Sequence, residues 1–103
     1  MAGASGPSVT HRHAAGGTRG TFDLGRGGKR VGFLSYSLAA DGTMIVEYVE
    51  VDPSLRGKSM GVRLVAAAVD WARANGHRIV PLCSYARAVL ERTPEYQDVL
   101  KAR

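Results

Sequence analysis

Glu50-Val51-Asp52-Pro53-Ser54-Leu55-Arg56-Gly57-Lys58-Ser59-Met60-Gly61 is the stretch whose reading decides the fold. An apolar, β-branched run enters it and a helical pattern leaves it. Between them lies a short loop with two glycines, a serine and two cations. The first backbone N–H groups of a helix have no partner inside the helix, and the helix dipole places partial positive charge there. A strand that stops, a turn of small residues and a helix start therefore make an anion site. Arg56 and Lys58 add full charges. The loop reads as a cradle for a pyrophosphate.

Outward from the loop, the pattern predicts the neighbouring elements. Upstream, Met44 to Val51 alternates as a strand, with Met44, Val46, Tyr48 and Glu50 on one face and Ile45, Glu47, Val49 and Val51 on the other. Ala40-Asp41-Gly42-Thr43 is a hairpin turn, because Asp-Gly tolerates the positive φ such turns need. Lys29 to Leu38 is the strand before it, with Gly32, Leu34 and Tyr36 sharing one face. Thr21-Phe22-Asp23-Leu24 alternates before the glycine turn at residues 25–28. Downstream, Pro53 ends the ladder for want of an N–H. From Met60, the residues Gly61, Leu64, Val65, Ala68 and Ala72 recur on one helix face, and Asn75-Gly76 stops the helix. His77 to Leu82 reads as a strand parallel to the one entering the loop, since a right-handed β-α-β crossover joins them. Tyr85 to Arg92 is a short helix with Ser84 as N-cap. Glu95 to Leu100 is a last helical turn or two. The fold class is α+β: a three-strand antiparallel meander, a crossover to a parallel fourth strand, and short C-terminal helices.

At 103 residues the chain is one domain with a modest core. Its 45% apolar and 22% charged residues are those of a soluble globule. No apolar run has the length of a membrane span or signal peptide, so the expected location is cytoplasmic. One cysteine, Cys83, excludes an internal disulfide framework. Residues 1–18 lack periodicity and are expected to be a flexible tail, with the folded domain at 19–103. His11 and His13, on that tail, read as bystanders rather than metal ligands, and no metal is expected. The net charge of +5 is concentrated in residues 1–30, with five cations against one acid, while residues 31–103 hold nine against eight. That distribution describes a basic end on a nearly neutral body and argues against a nucleic-acid reader.

The central loop resembles motif A of the GNAT acetyltransferases: Arg or Gln, two residues, Gly, one residue, then Gly or Ala. Here it reads Arg56-Gly57-Lys58-Ser59-Met60-Gly61, with Ser59 where the family usually has glycine. Val80-Pro81-Leu82-Cys83-Ser84-Tyr85 and Thr93-Pro94-Glu95-Tyr96 are similar to the Pro-Leu-Cys-Pro and His-Pro-Glu-Tyr of small stand-alone GNAT-like domains. The resemblance covers about residues 19–100 and implies a minimal GNAT fold that binds acetyl-CoA and transfers acetyl to an amine. The alternative is a CoA-binding or sensor module without catalysis.

Carried over residue by residue, the resemblance implies that pantetheine lies along Glu47 to Val51, against the backbone of Val49 and Val51. It places the pyrophosphate on Arg56, Gly57, Lys58, Ser59, Met60, Gly61 and Val62. Arg87 either reaches the phosphates or sits on an exposed helix face. Ser59 keeps the N–H, and is costly only if its position takes positive φ. Acetyl transfer needs a neutral amine, a polarised carbonyl and a stabilised thiolate. Glu50 is placed as base, Tyr85 as proton donor to the thiolate, and Cys83 as covalent acceptor or pocket wall. Glu50 is equally a surface carboxylate, Cys83 a buried thiol and Tyr85 a packing residue. The acceptor is a small amine, peptide or protein lysine. The sequence leaves its identity and the oligomeric state open.

Overall fold

The computed structural model describes residues 7–55, 57 and 59–101. Its sheet has five strands in the order β1 (Ser8–His13), β2 (Arg19–Arg26), β3 (Lys29–Leu38), β4 (Met44–Val51) and β5 (Ile79–Pro81). Neighbours among the first four are antiparallel, and β5 runs parallel to β4. Helix α1 (Met60–Ala74) makes the crossover and α2 (Ser84–Arg92) follows β5. Short 3-10 turns occupy Pro53–Leu55 and Pro94–Tyr96.

The mixed α+β architecture is the expected one, with one strand more. Residues 8–13 are an edge strand paired along its length with β2, where a loose tail was expected. Its alternation is real, but two of the side chains on its α1-facing side, His11 and His13, are polar. Periodicity scored on hydrophobicity passes over them.

β4 carries the second departure. Ser35 pairs with Tyr48, but Tyr36 pairs with Val46, so Glu47 is an extra residue on β4. This is a β-bulge. Before it, Met44 and Val46 face the core; after it, Val49 and Val51 do, opposite Leu34 and Gly32. Strict alternation would have placed Val49 and Val51 with Ile45, away from Met44. Glu47 points outward, where Arg19 grips both its oxygens at 2.6 and 3.3 Å and Ser37 Oγ donates at 3.2 Å.

One core holds the layers together. Phe22, Leu24, Leu34, Tyr36, Met44 and Val46 from the sheet meet Leu64, Val65, Ala68, Val69 and Ala72 of α1. Ala86, Val89 and Leu90 of α2 complete it. The alanines on the α1 face let that helix approach the strands closely. At its C-terminus the N–H of His77 returns to Ala72 O at 2.8 Å, with Gly76 at φ +73°. That 6→1 bond ends the helix at the predicted Asn-Gly. Beyond β5 the chain turns back, so Val99 O accepts from Ile79 N at 2.6 Å and Lys101 N donates to Ile79 O at 2.9 Å. The expected second turn of C-terminal helix is therefore an extended bridge to β5. Among the described residues no helix is long and apolar enough to cross a membrane.

Candidate functional site

β4 and β5 part company early. Their pairing covers Met44 to Val46 against Ile79 to Pro81. Val46 O then accepts from both Leu82 N (2.9 Å) and Cys83 N (3.3 Å), and the strands diverge. The β5-side edge of β4 from Glu47 to Val51 has no strand partner among the described residues. That leaves backbone free to pair with an extended ligand.

At the end of this free edge the chain turns into α1. Asp52 accepts from Ser54 N and Ser54 Oγ, both at 2.9 Å, and these bonds hold its carboxyl below the usual carboxylate range. The loop that follows is left-handed twice, at Gly57 (φ +79°) and Ser59 (φ 61°, ψ 21°). Ser59 is the one described non-glycine residue with positive φ, and its hydroxyl makes no cap hydrogen bond. The Arg63 N–H reaches Ser59 O at 3.2 Å. The N–H groups of Met60, Gly61 and Val62, one turn earlier, have no carbonyl within the helix to bond.

The free edge and the loop open into one cleft of about 650 Å³. Val49, Glu50, Val51, Gly57, Ser59, Met60, Gly61, Val62 and Tyr85 line it, and all nine were expected at the site. Gly61 is there for a reason sequence reading did not supply. A Cβ at this position would lie 2.7 Å from Tyr85 Oη and 2.8 Å from its ring. The missing side chain lets the Tyr85 ring lie on the start of α1, and Tyr85 stays 40% exposed. Glu50 is exposed on the face opposite the core, in register with Phe33 and beside Tyr48, which is 62% exposed.

Two expected residues lie elsewhere. Arg87 donates to Pro81 O at 3.0 Å and lines a separate groove with Glu91 and Lys101. Cys83 is the N-cap of α2, a place expected for Ser84. It is half-buried against the core and does not line the cleft. Arg56 and Lys58 lie outside the described residues. Two lining residues were missed, Leu55 and Arg92. Helical geometry could have found Arg92: seven residues after Tyr85 it returns to the same face, whereas Arg87, two residues on, points away. Arg92 has no carboxylate partner among the described residues.

The cleft therefore offers an unpaired strand edge, bare N–H groups at a helix start and a guanidinium, with a carboxylate and a phenol at its rim. Comparison with known proteins bears on the fold. A family model described as GCN5-related N-acetyl-transferase matches residues 21–99. No curated protein matches in sequence. Among solved structures, a GCN5-like protein from Staphylococcus aureus superposes with a TM-score of 0.74 at 24% identity, covering 97% of this chain and 93% of that one. A Desulfovibrio desulfuricans protein assigned to the GNAT family gives a TM-score of 0.59 at 21% identity, over 67% of this chain and 45% of that one. A Bacillus anthracis protein assigned as a streptothricin acetyltransferase, in complex with acetyl coenzyme A, gives 0.56 at 22% identity, over 62% and 37%. The chain thus spans less than half the length of the last two. At these identities the likeness is one of fold.

Proposed function

Because the chain belongs to the GCN5-related N-acetyltransferase family, we propose that its cleft binds acetyl-CoA and that it transfers the acetyl group to an amine. One observation carries this reading: the free β4 edge, the left-handed loop and the bare α1 N-terminus open into a single cleft. The residues present fit the group. The Glu47–Val51 edge suits the amide-bearing pantetheine. The N–H groups of Met60, Gly61 and Val62 suit a pyrophosphate, which their helix dipole also favours. Arg92 takes the phosphate-binding role expected of Arg87.

Bound acetyl-CoA supplies an activated thioester carbonyl. The chain's own groups do the rest. Glu50, at the cleft and open to solvent, takes the proton that an ammonium must lose to become a nucleophile. Tyr85, held over Gly61, presents a hydroxyl that can donate to the departing thiolate. Cys83, whose backbone N–H bonds Val46 O where the strands part, stands beside the cleft rather than in its lining. A covalent route through it would have its thiolate take the acetyl group, CoA leave as a thiolate protonated by Tyr85, and the amine then displace the Cys83 thiolate. The outer side of β4, with Tyr48 and Glu50, is exposed, which suits an acceptor amine carried on a peptide or protein.

Calorimetric titration with acetyl-CoA tests the binding. Absence of heat at millimolar ligand sinks the reading. Mass spectrometry against a panel of amines and lysine peptides tests transfer. Acetylated product that disappears in Glu50→Gln and survives in Cys83→Ala supports direct transfer. The converse pattern, with an acetyl adduct on Cys83, supports the covalent route. Binding without any transfer would make the chain a CoA-binding module, a reading that the strained Ser59 favours.

A further inference from the structure

The five cations of residues 1–30 all stand in strands: Arg12 in β1, Arg19 and Arg26 in β2, Lys29 and Arg30 in β3. What reads in the sequence as a basic end is therefore charge fixed on the folded body. Phe22, Leu24, Leu34 and Tyr36 join the core under α1. The residues between them, Asp23 and Phe33 among them, point to the sheet face that α1 leaves open. Arg12, Arg19 and Arg30 gather on that face.

Its carboxylates lie beneath its guanidinium groups. Asp23 has Arg30 2.9 Å from one oxygen and Arg12 3.9 Å from the other, and Thr21 Oγ1 donates to it at 3.2 Å. Glu47 lies under Arg19 at 2.6 Å. The side chains of the two acids are 13% and 19% exposed, those of the three arginines 53% to 77%. An approaching partner therefore meets guanidinium first. The acids also hold the arginines in place, which removes part of the ordering cost of binding. A guanidinium has five N–H groups, more than these contacts use. Arg30 is pinned a second time, with Cζ 4.5 Å from the centre of the Phe33 ring. Arg12 lines two shallow grooves, one of about 370 Å³ shared with Arg19 and one of about 260 Å³ shared with Lys29 and Arg30.

Glu50 stands on the same face and has no cation within 4 Å among the described residues. It lies in one cross-strand row with Phe33 and Asp23. Two strand spacings separate Glu50 from Asp23, about 10 Å, which an extended chain covers in about three residues. The row thus runs from a bare carboxylate at the cleft to a carboxylate covered by arginines. A nucleic-acid backbone, negative throughout, is repelled at the Glu50 end. A polypeptide can match both signs, with an ammonium at Glu50 and carboxylates at the arginines.

We propose that this open face docks an acidic polypeptide segment, and that the lysine it brings to Glu50 has aspartate or glutamate about two to four residues away. The lysine's part rests on the acetyl-transfer reading; the docking does not.

Nitrogen–proton NMR of the full chain, titrated at low salt with two lysine peptides, tests the surface. One peptide carries glutamates at those positions and the other glutamines. The glutamate peptide should shift the Nε–H signals of Arg12, Arg19 and Arg30 and bind about five- to tenfold more tightly, the sum of a few exposed ion pairs. Raised salt should erase that difference. Arg12→Gln should reduce it and leave acetyl-CoA affinity unchanged. Equal affinity for the two peptides, or shifts that avoid the arginines, overturns the proposal. An oligonucleotide that binds these arginines more tightly than the glutamate peptide overturns it too, as do the same shifts on concentrating the chain alone, which would mean a second copy. With acetyl-CoA present, the glutamate peptide should be acetylated with the lower KM. Arginine shifts without any acetylated product support the docking surface and count against acetyl transfer. Both peptides acetylated with one KM overturn the docking surface and leave acetyl transfer standing.

Discussion

Replacing Ser59 with glycine should stabilise this chain by about 0.5–1 kcal/mol, because the serine is held at φ 61°. Left-handed backbone costs a residue with a Cβ roughly 1–2 kcal/mol, which glycine escapes. Against this stands about 0.5–1 kcal/mol for the greater freedom of glycine in the unfolded chain. The hydroxyl makes no cap hydrogen bond, so its removal matters little. In a domain of this size 1 kcal/mol moves Tm by about 4–8 °C, so Ser59→Gly should melt roughly 2–8 °C higher. Thermal unfolding followed by circular dichroism is the assay. Ser59→Ala is the control, since it keeps the Cβ and drops the hydroxyl. It should melt no higher than the wild type. If Ser59→Gly melts at or below the wild type, or alanine raises Tm equally, the strain is not at this position. The glycine variant should also bind CoA at least as tightly, for the loop then rests in its cradle shape without opposing torsion.

Other outcomes follow from single contacts. Arg92→Ala should weaken CoA binding several-fold by calorimetry, while Arg87→Ala, which loses only a bond to Pro81 O, should leave it unchanged. Gly61→Ala puts a Cβ against the far end of the Tyr85 side chain, which can swing away. Its Tm should hold or rise slightly from better helix propensity, about 1 kcal/mol at most, while turnover drops. A loss of Tm together with turnover would contradict that. Gly20→Ala has no such escape, because its Cβ would also meet the backbone oxygen of Arg12 at 2.7 Å. An unfolding free energy lower by about 1–3 kcal/mol in denaturant titration is expected, and most of the loss should sit in β1.

Much of this fold could be read from the residues. β3, β4 and the start of α1 begin and end where turn signals, Pro53 and the shift in periodicity place them. What escaped has physical reasons. β1 escaped because its α1-facing positions hold histidines bonded to a hydroxyl on another strand, and a partner 25 residues away cannot be seen locally. The bulge at Glu47 escaped because it is a property of two strands together. At the candidate site, the lining residues Gly57, Ser59, Met60, Gly61 and Val62 were legible because a strand end, small residues and a helix start stand together in the sequence. Arg92, which also lines the cleft, was not, because finding it takes the helical phase counted from Tyr85. The geometry of Ser59 resolves what the sequence could pose only as a condition.

The extra residue in β4 also governs how the strand answers to a change in length. It is a spare position. With Glu47 removed, Val46 and Tyr48 become neighbours opposite Tyr36 and Ser35, the ladder turns regular, and Tyr48 and Glu50 still face out while Val49 and Val51 still face the core. Its removal costs the ion pair with Arg19 and the local bend of the strand. The same deletion at an unbulged position has no spare residue to absorb it, and a one-residue slip there turns every side chain beyond it to the other face. Loss of a residue is tolerated at Glu47 and not in the regular ladder on either side of it.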